Sequence, residues 1–272
     1  MTSLPVLGAA IPLDALDTHR DWLIADQRDL ELQDFISADV LNGDWQPLVD
    51  RALALLDGYS GRLGIHGPFW GLNIANPDPD MRALTTRRMT QGLAVCEALG
   101  ATQMVIHSPY STWMYNNLDN IAGQRQAVID LTHDTLDPVV ARAEAAGVTM
   151  VIENIEDKDP EARRTLAQSF DSAAVQVSID TGHAHYAHGS TGAPPVDYYV
   201  KSAGEMLHHI HLQDADGYAD RHWAIGKGTV NWPAVFAALA PLGDRPRLIM
   251  ELRDKAGILP SAAYLEGLGL AR

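Results

Sequence analysis

The chain has 272 residues, 46% of them hydrophobic, one cysteine and a formal net charge of −15. One cysteine excludes an intrachain disulfide and any Cys-x-x-Cys metal or redox pair, and the surplus of acid repels phosphate backbones and so disfavours nucleic acid as a partner. No run reaches the roughly 18 apolar residues of a membrane span, and MTSLPVLGAAIPLD has no basic residue ahead of its apolar stretch, so neither a membrane anchor nor a signal peptide is expected and the expected location is cytoplasmic.

Short apolar runs alternate with longer stretches of helical period. In chain order, strands are predicted near 5–10, 29–35, 62–67, 102–108, 148–154, 175–180, 207–213 and 247–252. Helices are predicted near 14–26, 46–58, 80–99, 123–146, 160–169, 196–204, 232–241 and 261–268. The punctuation agrees: Asp80 opens a helix, Gly100 and Gly147 follow helix ends, and Pro233 falls in a first turn. Pro138 inside 123–146 predicts a kink or a break into two helices. Cys96, in an apolar helical setting, reads as a buried small hydrophobe.

Eight strands alternating with eight helices predict a parallel sheet with right-handed crossovers. At this length an eight-fold count points to an α/β fold, a closed (β/α)8 barrel, forming a single domain over residues 1–272. A doubly wound open sheet is the alternative, but no Gly-x-Gly-x-x-Gly fingerprint follows the first strand.

In such a barrel the C-terminal strand ends form the working face. Strand 2 offers Glu31 and Gln33. Strands 3 and 4 end in His66 and His107, strand 5 in Glu153 and Asn154. Strand 6, within VSIDTGHAHYAHG, delivers Asp180 and then His183. Strand 7 brings His211, Gln213 and Asp214, and strand 8 brings Glu251. Carboxylates buried together repel one another unless a positive charge sits between them. A divalent cation held by Glu153, Asp180, His211 and Glu251 answers that need. The oxygen-rich set suits Mn²⁺ or Mg²⁺, with Zn²⁺ and Co²⁺ also compatible.

A second cluster follows strand 7 in DADGYADRHWAIGKG. In an extended segment residues two apart share a side, so Asp220 and His222 are expected to face one ligand. With His183 they would form a further metal site or bind a substrate hydroxyl; alternatively, Asp220 only orients His222. Phe69 and Trp70 read as walls for the C–H face of a polyol, with ordinary packing as the alternative for Trp70. Lys227, between two glycines, reads as a substrate-binding cation or as a solvated loop residue. His209 is expected to point into the barrel like His211.

The motifs IHGPFWGLNIANPD, ALGATQMVIHSPY, VIENIED, SIDTGHAHYAHG, HIHLQDAD, DRHWAIGKGTVNW and IMEL resemble those of the xylose isomerase-like barrel superfamily. Its members include sugar isomerases, ketose 3-epimerases and nucleases of the endonuclease IV type. The resemblance to the isomerases and epimerases implies one divalent metal on Glu153, Asp180, His211 and Glu251. It also implies proton transfer by Glu153 and Glu251 on the two faces of an enediolate, with a small sugar, keto-sugar or polyol as substrate. An enolising lyase, dehydratase or decarboxylase would use the same site.

The resemblance to the nucleases implies three zinc ions instead. His66, His107 and Glu153 would hold one, Glu153, Asp180, His211 and Glu251 the second, and His183, Asp220 and His222 the third. Against that reading stand the acidic charge and the apolar, aromatic segment after His66. Against a ketose 3-epimerase stand Gly217 and Lys158, where that group has Arg and Glu. Dimers and tetramers are common among similar barrels, so a homo-oligomer is compatible with the sequence.

Overall fold

A computed structural model describes residues 4–272; residues 1–3, part of the opening stretch, lie outside it. The chain alternates as predicted. β1 (Leu7–Ile11) leads to α1 (Leu13–Ala25), and β2 (Leu30–Leu32) to α2 (Ala38–Asn42) and α3 (Gln46–Leu55). β3 (Leu63–His66) precedes α4 (Pro79–Leu99). β4 (Gln103–His107) is followed by α5 (Thr112–Asn117) and α6 (Gln124–Ala146), and β5 (Thr149–Glu153) by α7 (Pro160–Ser169). β6 (Val175–Asp180) runs into α8 (Thr181–Thr191) and then α9 (Val196–Ala203). β7 (Leu207–Leu212) precedes α10 (Trp232–Leu239), and β8 (Arg247–Met250) precedes α11 (Ile258–Gly267).

The strands pair in sequence order, all parallel, into one closed barrel. Closure is made by β1 on β8, with Leu7 beside Leu248 and Ala9 beside Met250. This rules out the open doubly wound sheet. Strands such as β1, LGAAI, and β5, with MVI at its centre, are apolar on both faces because these meet the barrel interior and the helix layer. Gly8 is needed where β1 meets β2: a Cβ there would lie 2.2 Å from the Asp29 carbonyl oxygen.

Three details depart from the sequence reading. β2 spans three residues where seven were expected. α6 continues through Pro138 as one helix. Pro138 removes the helical donor to the Asp134 carbonyl, while the neighbouring Thr135 carbonyl also accepts from Thr86 Oγ1 at 2.7 Å. Helices α2, α5 and α8 were not anticipated. α8 begins directly at the end of β6, with Asp180 as its N-cap: Oδ1 accepts from His183 N at 2.7 Å. Its Ala184 and Ala187 pack inward. Cys96 is buried, as expected.

Candidate metal centre

Four strands bring four polar side chains to one point. Glu153 ends β5, Asp180 ends β6, His211 lies in β7, and Glu251 follows β8. Each offers a ligand atom, and these atoms lie within 4.8 Å of one another. All four residues are buried. His211 is the hub. Its Nδ1 lies 2.8 Å from Glu153 Oε1 and 3.3 Å from Glu251 Oε2. Its Nε2 lies 3.1 Å from Glu31 Oε1, deeper in the barrel.

Two further groups flank this one. His66, His107 and Glu153 form the first, and His183, Asp220 and His222 the second. In the first, the Nε2 atoms of His66 and His107 stand 3.8 and 3.7 Å from Glu153 Oε2. In the second, Asp220 Oδ1 stands 3.5 Å from His183 Nε2 and 3.1 Å from His222 Nε2. Glu153 therefore belongs to two groups, and all nine residues singled out in the sequence as definite or additional ligands fall in three adjoining clusters.

The imidazoles are oriented from behind. His66 Nδ1 faces the Gly67 carbonyl at 2.9 Å, His183 Nδ1 the Asn154 carbonyl at 2.9 Å, and His222 Nδ1 the Glu251 carbonyl at 3.0 Å. A carbonyl oxygen can only accept, so Nδ1 carries the proton in all three. In the neutral ring Nε2 then presents a lone pair toward a carboxylate. Lone pair against carboxylate is repulsive unless a cation lies between them, and this back-side anchoring is the arrangement that metal-ligating histidines show. Glu153 Oε2 and Asp180 Oδ2 are moreover buried without a hydrogen-bond partner. The three clusters fit divalent metal ions.

Without a cation, protons take its place. Burial alone would lower the His222 imidazole, but Asp220, Glu251 and Asp180 push it up to about 9. Burial likewise opposes the charge on His183 and His211, and the surrounding carboxylates outweigh it and raise both well above the usual range. Burial would raise Glu153, but His211, His107 and His183 hold it well below the usual carboxylate range. Asp180 behaves oppositely. Burial, helped by Glu153 and Glu251, pushes it up to about 6 against the pull of His183 and His222. His107, with burial dominant, falls to about 3.

Asp220 and His222 bring ligand-type atoms close together, but not by strand alternation. His222 adopts a left-handed backbone, φ +49°. Phe69 packs against the site, its ring 4.3 Å from that of His107 and 5.0 Å from that of His66. Trp70 leans on Phe69 at 4.7 Å and is 69% exposed at the rim. Lys227 stands apart from the clusters, in the wall of a neighbouring cavity with His222 and Arg253.

The sequence reading noted Glu31 and His209 without giving them a place in the site. Both are buried against His211, and the three form a fourth group with ligand-type atoms within 4.8 Å. His209 Nδ1 meets Ser178 Oγ at 2.8 Å and its Nε2 lies 3.1 Å from Glu31 Oε2. The expectation that His209 points inward is met, while His208 sits half-buried outside.

A family model described as a xylose isomerase-like TIM barrel matches residues 29–272. Among curated proteins, the uncharacterized protein MJ1311 of Methanocaldococcus jannaschii is 26% identical over 70% of this chain and 64% of its own length. A probable endonuclease 4 of Acholeplasma laidlawii is 23% identical over 64% of this chain and 61% of its own length. The D-psicose 3-epimerase of Ruminiclostridium cellulolyticum is 24% identical over 68% of this chain and 61% of its own length. The chain thus spans less than two thirds of each of these three. Among solved structures, the TTHB071 protein from Thermus thermophilus, soaked with ZnCl2, is 28% identical with a TM-score of 0.70, covering 98% of this chain and 99% of that one. A D-tagatose 3-epimerase-like protein is similar in fold, with a TM-score of 0.75 at 22% identity over 96% of both chains.

Proposed function

The chain belongs to the xylose isomerase-like TIM barrel family, and from that premise we propose that it is a metal-dependent isomerase or epimerase of a small sugar, keto-sugar or polyol. One observation carries the reading: Glu153 and Glu251 approach the same His211 Nδ1, at 2.8 and 3.3 Å, from β5 and from the end of β8. Two carboxylates so placed can exchange protons with a substrate seated between them. The similarity to a D-psicose 3-epimerase supports the same class.

Glu153, Asp180, His211 and Glu251 would hold one divalent ion, which polarises a substrate carbonyl and makes the neighbouring C–H acidic. Glu153, kept ionised by the histidines around it, accepts the proton from carbon. Glu251, held by the Gln33 side-chain amide at 2.7 Å, enters the step as the protonated partner and gives its proton to the other face for epimerisation, or to the adjacent carbon for isomerisation, after which Glu153 releases a proton to solvent and Glu251 takes one up. Phe69 and Trp70 close the apolar side and shield the reacting carbon from water. Gly217 and Lys158 occupy the positions of two ketose 3-epimerase side chains, so substrate hydroxyls are positioned by other groups.

A second reading, phosphodiester hydrolysis on three zinc ions, is favoured by the two flanking groups and by the sharing of Glu153 between one of them and the central group. The similarity to a probable endonuclease 4 points the same way. The net charge of −15 opposes a DNA substrate. Metal content per chain, measured by mass spectrometry on protein purified without chelators, separates the two. About one ion per chain, ketose or aldose turnover, and its loss in Glu153→Gln are expected. About three zinc ions per chain with cleavage of abasic-site DNA, and no sugar turnover, would replace the isomerase reading by the hydrolytic one.

A further inference from the structure

A second space opens beside the clusters. The loop after β7 and the turn after β8 enclose a cavity of about 530 Å³, lined by His222, Trp223, Lys227 and Arg253 among others. His222 belongs to this cavity and to the cluster with His183 and Asp220. A small molecule lodged here therefore touches the site at one end.

Lys227 and Arg253 line the cavity of a strongly acidic chain. Arg221 also lines it, but its guanidinium is taken up by Asp216, with Nε at 3.1 Å and Nη2 at 2.9 Å from Oδ2, and it lies over the Trp223 ring. Two carboxylates share the wall. Asp254 accepts from Ala256 N at 3.0 Å, and Asp220 lies between His183 and His222. Lys227 and Arg253 have no carboxylate within 4.0 Å among the described residues.

Both cations hang from backbone that is fixed relative to the site. Arg253 N donates to the His222 carbonyl at 3.0 Å. Gly226 N donates to Asp214 Oδ2 at 2.8 Å, and Lys227 N donates to the Ala224 carbonyl at 3.1 Å. The flanking glycines are obligatory. A Cβ on Gly226, at φ +90°, would lie 2.8 Å from the Tyr264 ring, and one on Gly228 would lie 2.2 Å from the Ala215 carbonyl oxygen. The Gly-Lys-Gly stretch is thus a rigid mount that presents an ammonium group.

We propose that this cavity is an anion subsite, in which Lys227 and Arg253 hold the phosphate or carboxylate of a small substrate whose other end reaches the clustered His and carboxylate groups. The inference rests on the isomerase or epimerase reading for the reacting end, and it narrows the substrate class to sugar phosphates or sugar acids. An ammonium and a guanidinium in the wall of one cavity suit an oxyanion, which accepts several charge-assisted hydrogen bonds at once.

Binding, not turnover, tests it. Isothermal titration calorimetry of the metal-loaded protein is run with inorganic phosphate and, separately, with glycerate, on wild type and on Lys227→Ala/Arg253→Ala. Both substituted side chains are exposed, and a thermal melt checks that the variant folds; Lys227→Arg serves as the charge-keeping control. The expected result is that wild type binds at least one probe, that the double variant binds it at least about tenfold more weakly, equivalent to about 1.4 kcal/mol, with its metal content unchanged, and that Lys227→Arg stays close to wild type. Phosphate binding alone assigns a phosphate ester, and glycerate binding alone a sugar acid. Equal affinities in wild type and double variant would put the anion on the metal ions and overturn the proposal, as would no binding of either probe. Should the double variant lose the anion while no sugar is turned over by wild type, the subsite stands and the isomerase reading falls.

Discussion

Glu31 Oε1 lies 3.1 Å from His211 Nε2, on the side of the ring away from Glu153 and Glu251. The carboxylate fixes the imidazole with its Nδ1 facing the cluster. Burial alone would raise Glu31, but His211 and His209 outweigh it and keep it ionised. A carboxylate behind a ligating histidine sets the ring's orientation and increases its basicity, and losing such a partner typically costs about 10–100-fold in metal affinity. Glu31→Gln is expected to weaken metal binding by that order, read from competition with a chelator, while the fold is kept. Unchanged affinity would mean that the packing of β7 alone orients His211.

Gly182, the second residue of α8, lies against Gln213. A Cβ at this position would stand 2.2 Å from Gln213 Cδ. The Gln213 amide has no free space to yield, because Nε2 donates to Asp180 Oδ1 and Asp220 Oδ1, each at 3.0 Å, and Oε1 accepts from His222 N at 2.7 Å. Gly182→Ala should cost about 1–3 kcal/mol through overpacking, measured by urea unfolding. It should also lower metal affinity, because the displaced amide holds Asp180 Oδ1, one of the four proposed ligands. Wild-type stability together with wild-type uptake would show that Gln213 moves aside freely.

What the sequence discloses and what it hides divide along physical lines. Glu153, Asp180 and Glu251 stood out in the sequence because each closes a short apolar run, whereas His211 lies inside LHHIHL and stood out only by its place near the end of that strand. The direction of His209 followed from its spacing to His211. Helix α8 was not legible: a run of Gly, His and Ala has little amphipathic signal, and the only marker is Asp180 as N-cap, a residue already claimed as a ligand. The left-handed backbone at His222 could not be read, since no glycine marks it. The pairing of Glu31 with His211, and of Gln33 with Glu251, joins residues 180 and 218 positions apart, and periodicity carries no information about partners at that distance.

The metal-stripped protein should lose stability as the solution becomes basic. His222 is pushed up to about 9, with Asp220, Glu251 and Asp180 overcoming the effect of burial. A raised imidazole contributes fully below its unfolded pKa of about 6.5, and the contribution vanishes as pH rises through about 9. His183 and His211, also raised, act in the same direction. The Tm of the stripped protein is therefore expected to fall between pH 6.5 and 9. Metal ions compete with the same protons, so their affinity should rise across that window, with protons released in weakly buffered solution. A flat Tm together with no proton release would show that these imidazoles are neutral before metal arrives.

Asp157 and Arg163 form an ion pair with both side chains fully buried, Nη1 to Oδ1 at 3.3 Å. Asp157 follows Glu153 by four residues and pins the segment between them. Its Oδ1 accepts from Ser108 Oγ at 2.8 Å and its Oδ2 from Ile155 N at 3.1 Å. Burial pushes the Asp157 carboxyl up, and Arg163 opposes that rise. Removing one member of a buried pair leaves an uncompensated charge and costs about 3–5 kcal/mol, whereas removing both is far milder. Asp157→Asn should therefore destabilise by about that amount in urea unfolding, and Asp157→Asn/Arg163→Met should recover most of it. Recovery of stability without recovery of metal uptake would place the importance of Asp157 in its grip on the backbone behind Glu153. Recovery of both would place it in the charge alone.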